Sequence, residues 1–190
     1  MSKGRLEAFS DGVMAIIITI MVLELKAPAG AGFSALQPLV PRFISYVLSF
    51  TFLGIYWNNH HHLMQAAQKV NGAILWANMH LLFWLSLTPF ATAWMGENNF
   101  AALPVALYGV VLLFAALAYY ILVRALIAHH GEKSTLARAI GKDFKGKISV
   151  AFYVLAIPGA FLAPWIAYGL YIGVAVIWLV PDRRIENLIN

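Results

Sequence analysis

Five apolar runs decide what this chain can fold into. They cover residues 6–25, 39–56, 73–95, 103–127 and 148–180, and each is at least 18 residues long. About 20 such residues cross the ~30 Å hydrocarbon core of a bilayer as one helix. No water reaches backbone N–H and C=O groups there, and a helix satisfies them internally. Only 11% of the 190 residues are charged and 62% are hydrophobic. A soluble domain carries about 25% charged residues, so too few are present to build a water-exposed surface. The expected fold class is an all-α integral membrane protein.

The last run, 33 residues from Ile148 to Val180, is too long for one crossing and short for two. Its segment IPGAFLAP carries Pro158, Gly159 and Pro164, and proline removes a helical donor and clashes with the preceding turn. The run therefore divides into 148–162 and 164–180, a tight hairpin with a short fifth helix. The result is a single domain of six transmembrane helices over residues 1–190. With six spans, only Lys26 and Arg42 of the thirteen Lys and Arg residues fall on one side. Basic residues mark cytoplasmic loops, which places both termini and the loop GEKSTLARAIGKDFKGK in the cytoplasm. Topology thus explains the net charge of +5 without nucleic acid, and the loop can touch anionic headgroups of membrane lipids. The first helix lacks a small-residue cleavage site and is expected to be retained. The absence of cysteine excludes disulfides, thiolate metal sites and cysteine nucleophiles. No paired-carboxylate set, zinc motif or nucleophile elbow points to an enzyme, and nothing points to a cofactor.

The first helix is unusual. RLEAFSDGVMAIIITIMVLELKAP, Arg5 to Pro28, carries Asp11 inside the apolar run, Thr19 near its middle and Glu24 at its far end. At 100° per residue Gly12, Ile16, Thr19 and Leu23 form a narrow stripe with Ile20 at its edge, and Asp11 and Glu24 lie off it. An intramembrane acid is paired or functional, so Asp11 is either a satisfied packing residue or a direct ion contact. Its candidate partners at similar depth are Trp57, His60 and His61 in the second helix, and Asn78 and His80 in the third. The stripe also has two readings. Gly and Thr are frequent at helix contacts in membranes, which is the ordinary account. Alternatively, an apolar ring gates a pore by dewetting and a hydroxyl ring replaces ion hydration. That reading requires several copies around a symmetry axis.

The adjacent histidines His60 to His62 point 100° apart on a helix and do not converge as metal ligands do; a proton-sensitive polar cluster suits them better. Asp11 with the helix-two and helix-three histidines could instead serve a proton- or metal-coupled secondary transporter. Such transporters usually show repeats and several broken helices around a midplane site, and only the Pro158–Pro164 region is broken here.

The pattern Arg5-x-x-x-Phe9-Ser10-Asp11-Gly12-Val13-x-Ala15-Ile16-x-x-Thr19-x-x-x-Leu23-Glu24 resembles the first-helix signature of the prokaryotic members of the transmembrane protein 175 family, relatives of the lysosomal potassium channel. The likeness continues more weakly through WNNHH and SLTPF. The resemblance implies a homotetrameric channel in a prokaryotic plasma (inner) membrane. It would pass monovalent cations with a preference for potassium, through a pore lined by the first helix of each subunit. Carried onto this chain, Ile16 is the main constriction, Thr19 the hydroxyl layer and Leu23 an outer apolar ring, with Ile20 able to share the middle layer. Arg5, Phe9, Ser10, Asp11 and Gly12 form the motif that ties the pore helix to its neighbours. No Thr-Val-Gly-Tyr-Gly filter occurs, so a carbonyl ladder is not available for selectivity.

Overall fold

The computed structural model describes residues 2–131, 134, 137–138, 141 and 143–179. Val180 and the basic residues Lys133, Lys142, Arg183 and Arg184 lie outside the described residues. Every regular element among the described residues is helical. The α-helices are α1 (Lys3–Leu23), α2 (Val40–Ala66), α3 (Gly72–Ser86), α4 (Thr88–Glu97), α5 (Ala102–His130), α6 (Phe144–Leu162) and α7 (Pro164–Leu179). Helices α3 and α4 together make one span, Gly72–Glu97; this span, α1, the α2 segment, α5 and α6 are long and apolar enough to cross a membrane. Helix α7 is a shorter apolar helix.

Local chemistry sets the helix ends. Asn71 caps α3, its side chain accepting from the Ile74 N–H at 3.0 Å, and so satisfies one of the first turn's orphan donors. Asp143 caps α6 in the same way through Gly146, at 3.1 Å. The span shared by α3 and α4 breaks at Leu87 because Pro89 has no N–H for the Leu85 carbonyl and its ring crowds that turn. Between α6 and α7, Ala163 is extended (φ −158°, ψ 105°), as the residue before a proline prefers. Pro164 then opens α7, a position where its missing N–H costs nothing.

Pro158 lies inside α6, which runs on to Leu162; neighbouring helices tolerate an interrupted bond in a membrane helix. Two expectations need correction. Helix α6 starts at Phe144 and has 19 residues, so the fifth helix is not short. Helix α2 continues to Ala66, ten residues past the expected limit of its apolar span at 56. Hydropathy marks where a helix leaves the hydrocarbon, and the polar WNNHHH stretch keeps the same backbone bonds beyond it.

Helix α1 packs on α2, α3 and α4, α3 packs on α5, and α6 and α7 form a hairpin against α5. Two apolar cores result. One gathers Leu6, Met14, Ile17, Leu63, Ile74 and Leu122; the other gathers Phe52, Met95, Tyr108, Tyr153 and Tyr171. Small residues permit the closest approaches, as is usual in membranes. A Cβ on Gly96 would lie 2.8 Å from the Arg42 Cα, and one on Gly109 would collide with the Tyr171 hydroxyl. A buried hydroxyl chain joins α2, α4 and α5. Thr92 donates to the Thr88 carbonyl at 2.7 Å, which leaves Ser49 to donate to Thr92 (2.6 Å) and Tyr108 to donate to Ser49 (2.9 Å).

Candidate functional site

Helix α1 has two sides. Leu6, Ser10, Met14, Ile17 and Met21 are buried, and their spacing of three and four residues puts them on one face, where α2, α3 and α4 pack. About 150° round the helix lies the opposite stripe. There Ile16 is 59% exposed, Ile20 42% and Leu23 75%, and Gly12 and Thr19 are also exposed. A Cβ on Gly12 would meet nothing within 4 Å. The side chains that pack α1 into its own subunit are therefore not those of the stripe. The Thr19 hydroxyl donates to the Ile16 carbonyl at 2.9 Å, which occupies its one proton and leaves the oxygen as an acceptor.

The polar residues at the N-terminal half of α1 separate into two groups. Asp11 is exposed and accepts from the Trp57 indole N–H at 3.1 Å. The Trp57 ring stacks on His61, with centroids 5.9 Å apart and planes at 17°. The second group is buried. Asn78 donates through Nδ2 to Ser10 Oγ at 2.9 Å, and Ser10 donates to the Leu6 carbonyl at 2.8 Å. The Asn78 amide oxygen lies 2.8 Å from His60 Nε2 and can only accept, so His60 carries its proton on Nε2. This chain joins α2, α3 and α1, and all three of its side chains are buried.

His80, expected in the same set, does not join it. Its Nε2 accepts from Trp84, one turn along α3, at 2.9 Å, because His80 faces away from α1 and is exposed. Arg5 and Phe9 are also exposed. Among the described residues no three His, Cys, Asp or Glu side chains gather as a metal site. His60 and His61 point to different partners, as adjacent helical residues must.

The sequence that builds this helix matches known proteins. A sequence profile described as the endosomal/lysosomal potassium channel TMEM175 matches residues 5–89. A protein of Chryseobacterium sp. (strain P1-3) named as a potassium channel is 61% identical over 187 residues, covering 98% of this chain and 97% of that one. The chain belongs to the TMEM175 family. The crystal structure of a lysosomal potassium-selective channel TMEM175 homolog from Chamaesiphon minutus superposes with a TM-score of 0.82. It is 28% identical and covers 95% of this chain and 97% of that one. Human TMEM175, named as an endosomal/lysosomal proton channel, is 34% identical over 103 residues, which is 48% of this chain and 20% of the human one.

In this TMEM175-family chain, sequence reasoning missed the support behind α1. Met21 comes within 3.9 Å of the Thr92 hydroxyl, so the Ser49–Thr92–Tyr108 chain touches the pore-helix candidate from behind. Near its far end, Arg42 and Glu97 pair at 3.4 Å, linking α2 to α4. The available signal was the Ser and Thr content of α2 and α4, since buried hydroxyls in a membrane need partners.

Proposed function

We propose that this chain is one subunit of a homotetrameric, passive cation channel that prefers potassium, with α1 of each copy lining a central pore. The observation that carries the reading is the exposed stripe of Ile16, Thr19 and Leu23, opposite the face that packs α1 into its subunit. Four helices with neighbouring axes ~9 Å apart each stand about 6 Å from a fourfold centre. Helical side chains reach ~5–6 Å from their axis, so inward-facing Ile16 side chains would nearly meet. Such a ring admits only an ion that has shed part of its water, and potassium sheds water at lower cost than sodium. Thr19, one turn along, would offer four hydroxyl oxygens as acceptors, and Leu23 an outer apolar ring with Ile20 flanking the middle layer. Arg5, Phe9, Asp11 and Gly12, exposed on the subunit, would then lie within reach of neighbouring copies. The 61% identical relative's name supports potassium as the permeant ion. That relative's bacterial source supports a prokaryotic membrane, and the basic loops support cytoplasmic termini.

The test is ion flux through purified protein in liposomes. Potassium should run down its gradient without a coupled ion, and Ile16→Asn should wet the ring and raise sodium permeation. Unchanged conductance and ion preference in Ile16→Asn would remove Ile16 as the constriction. A second reading, proton movement, draws on the human relative's name as a proton channel. Potassium flux that saturates and requires a proton gradient would support a coupled transporter instead.

A further inference from the structure

On the far side of the bundle from the α1 stripe, α2, α5 and α6 enclose a cavity of about 330 Å³. This volume falls within the ~300–1,000 Å³ of ordinary small-molecule sites. At ~30 Å³ for a group of about a water's size, it holds roughly ten methylenes. Its wall includes the buried Phe52 and Tyr153 with Tyr56 and Ala116, and, towards the start of α6, Asp143 and the exposed Lys147, with Asn59 and Trp178. From Gly146 to Tyr153, both in its wall, the cavity runs about 10 Å along α6. It therefore has a polar end at the start of α6 and an apolar, aromatic end deeper in the membrane.

Two further features give the cavity a direction and a charge. Tyr153, in the cavity wall, is only 2% exposed, and its aromatic ring closes the inner part of the slot. At the mouth, the Lys145 ammonium lies 5.9 Å from the centre of the Trp178 ring, and that indole donates to Ser149 at 2.8 Å. Lys147 is exposed beside it. The nearby Asp143 carboxylate is engaged in capping α6. The site thus presents a membrane-depth apolar slot beneath a cationic rim, on the side where the basic loops lie.

We propose that this cavity takes one acyl chain of an anionic phospholipid, with the headgroup phosphate at Lys147. The chain enters along the membrane normal, as a leaflet lipid lies, and its negative head matches the rim. This site is separate from the pore and does not depend on conduction.

Trp178 provides the probe. The purified protein is placed in phosphatidylcholine nanodiscs carrying phosphatidylglycerol brominated on its acyl chains, or phosphatidylcholine brominated in the same way. Fluorescence is compared with that of Trp178→Phe to isolate this residue. Brominated phosphatidylglycerol should quench Trp178 at several-fold lower mole fraction than brominated phosphatidylcholine. Ala116→Phe, which fills the slot, should abolish that preference. Lys147→Gln, on the surface, should weaken it about fivefold, the effect of one basic residue near anionic lipid. Equal quenching by the two lipids overturns the proposal, and so does quenching that Lys147→Gln leaves unchanged. Oleate that restores the fluorescence at equimolar phosphatidylglycerol assigns the slot to a free fatty acid and also overturns it.

Discussion

Replacing Asn78 with Leu isolates the buried chain that fixes α1 to the rest of the subunit. The wild-type amide accepts from His60 and donates to Ser10. Leucine is close in size and makes neither bond. Ser10 keeps its own donation to the Leu6 carbonyl, so its loss is one interhelical bond, about 0.6 kcal/mol on average in a membrane protein. The His60 Nε2–H is left buried without an acceptor, which costs about 1–3 kcal/mol. Together the change should destabilise the protein by about 1.6–3.6 kcal/mol. His60→Leu alone orphans the Asn78 oxygen, but His60→Leu with Asn78→Leu removes both members of the pair. The double variant should therefore be at least about 1 kcal/mol more stable than the sum of the single effects, since orphaning is counted in each. Reversible unfolding in mixed detergent micelles, followed by circular dichroism, measures all four proteins. A cost below about 0.5 kcal/mol for Asn78→Leu, or additivity within about 0.5 kcal/mol, would refute the assignment of the chain.

Two substitutions probe other contacts with the same unfolding measurement. Gly109→Ala drives a methyl into the Tyr171 hydroxyl, which is itself held by the Val105 carbonyl at 3.1 Å; it should cost about 1–3 kcal/mol, part of which Tyr171→Phe recovers. Trp57→Phe deletes the donor to Asp11 but leaves a ring to stack on His61, and because the site is exposed it should cost less than about 1 kcal/mol.

The membrane architecture was legible because length and hydropathy are averages over many residues, and averages survive local error. The details that failed depend on single groups and their neighbours. The expected start of the fifth helix is 148, but the Asp143 cap starts α6 at Phe144. His80 shares its depth with His60, but the two project from different helices in different directions. Hydropathy places a residue along the membrane normal and says nothing of its angle around the bundle. Trp57 was within reach of sequence reasoning because its indole N–H is a strong donor beside the Asp11 carboxylate, whereas Asn78 and His60, expected at Asp11, bond each other, and Asn78 bonds Ser10. Ser49, Thr92 and Tyr108 were not, since Ser and Thr can satisfy themselves locally and the hydroxyl content of α2 and α4 does not say which groups meet.

The two faces of α1 show why the stripe was harder to read than the helix. In water, the buried face of a helix is apolar and the other polar. In a bilayer both are apolar, so Leu6, Met14, Ile17 and Met21 on the packed side have the same chemistry as Ile16, Ile20 and Leu23 on the open side. The two hydroxyls do not separate them either. Ser10 donates to Leu6 and Thr19 donates to Ile16, a local bond that both residue types make in helices. The difference lies in what arrives at the oxygen. At Ser10 it is the Asn78 amide of α3. At Thr19 no side chain among the described residues supplies a donor, and the same kind of acceptor is presented outward. Under the proposed assembly, four such oxygens face a passing cation. Thr19→Ser keeps the oxygen and should retain potassium preference in liposome flux, whereas Thr19→Val, of equal size, should lose it. Equal ion preference in Thr19→Val and wild type would show that the oxygen does not contact the ion, leaving the apolar rings as the only source of discrimination.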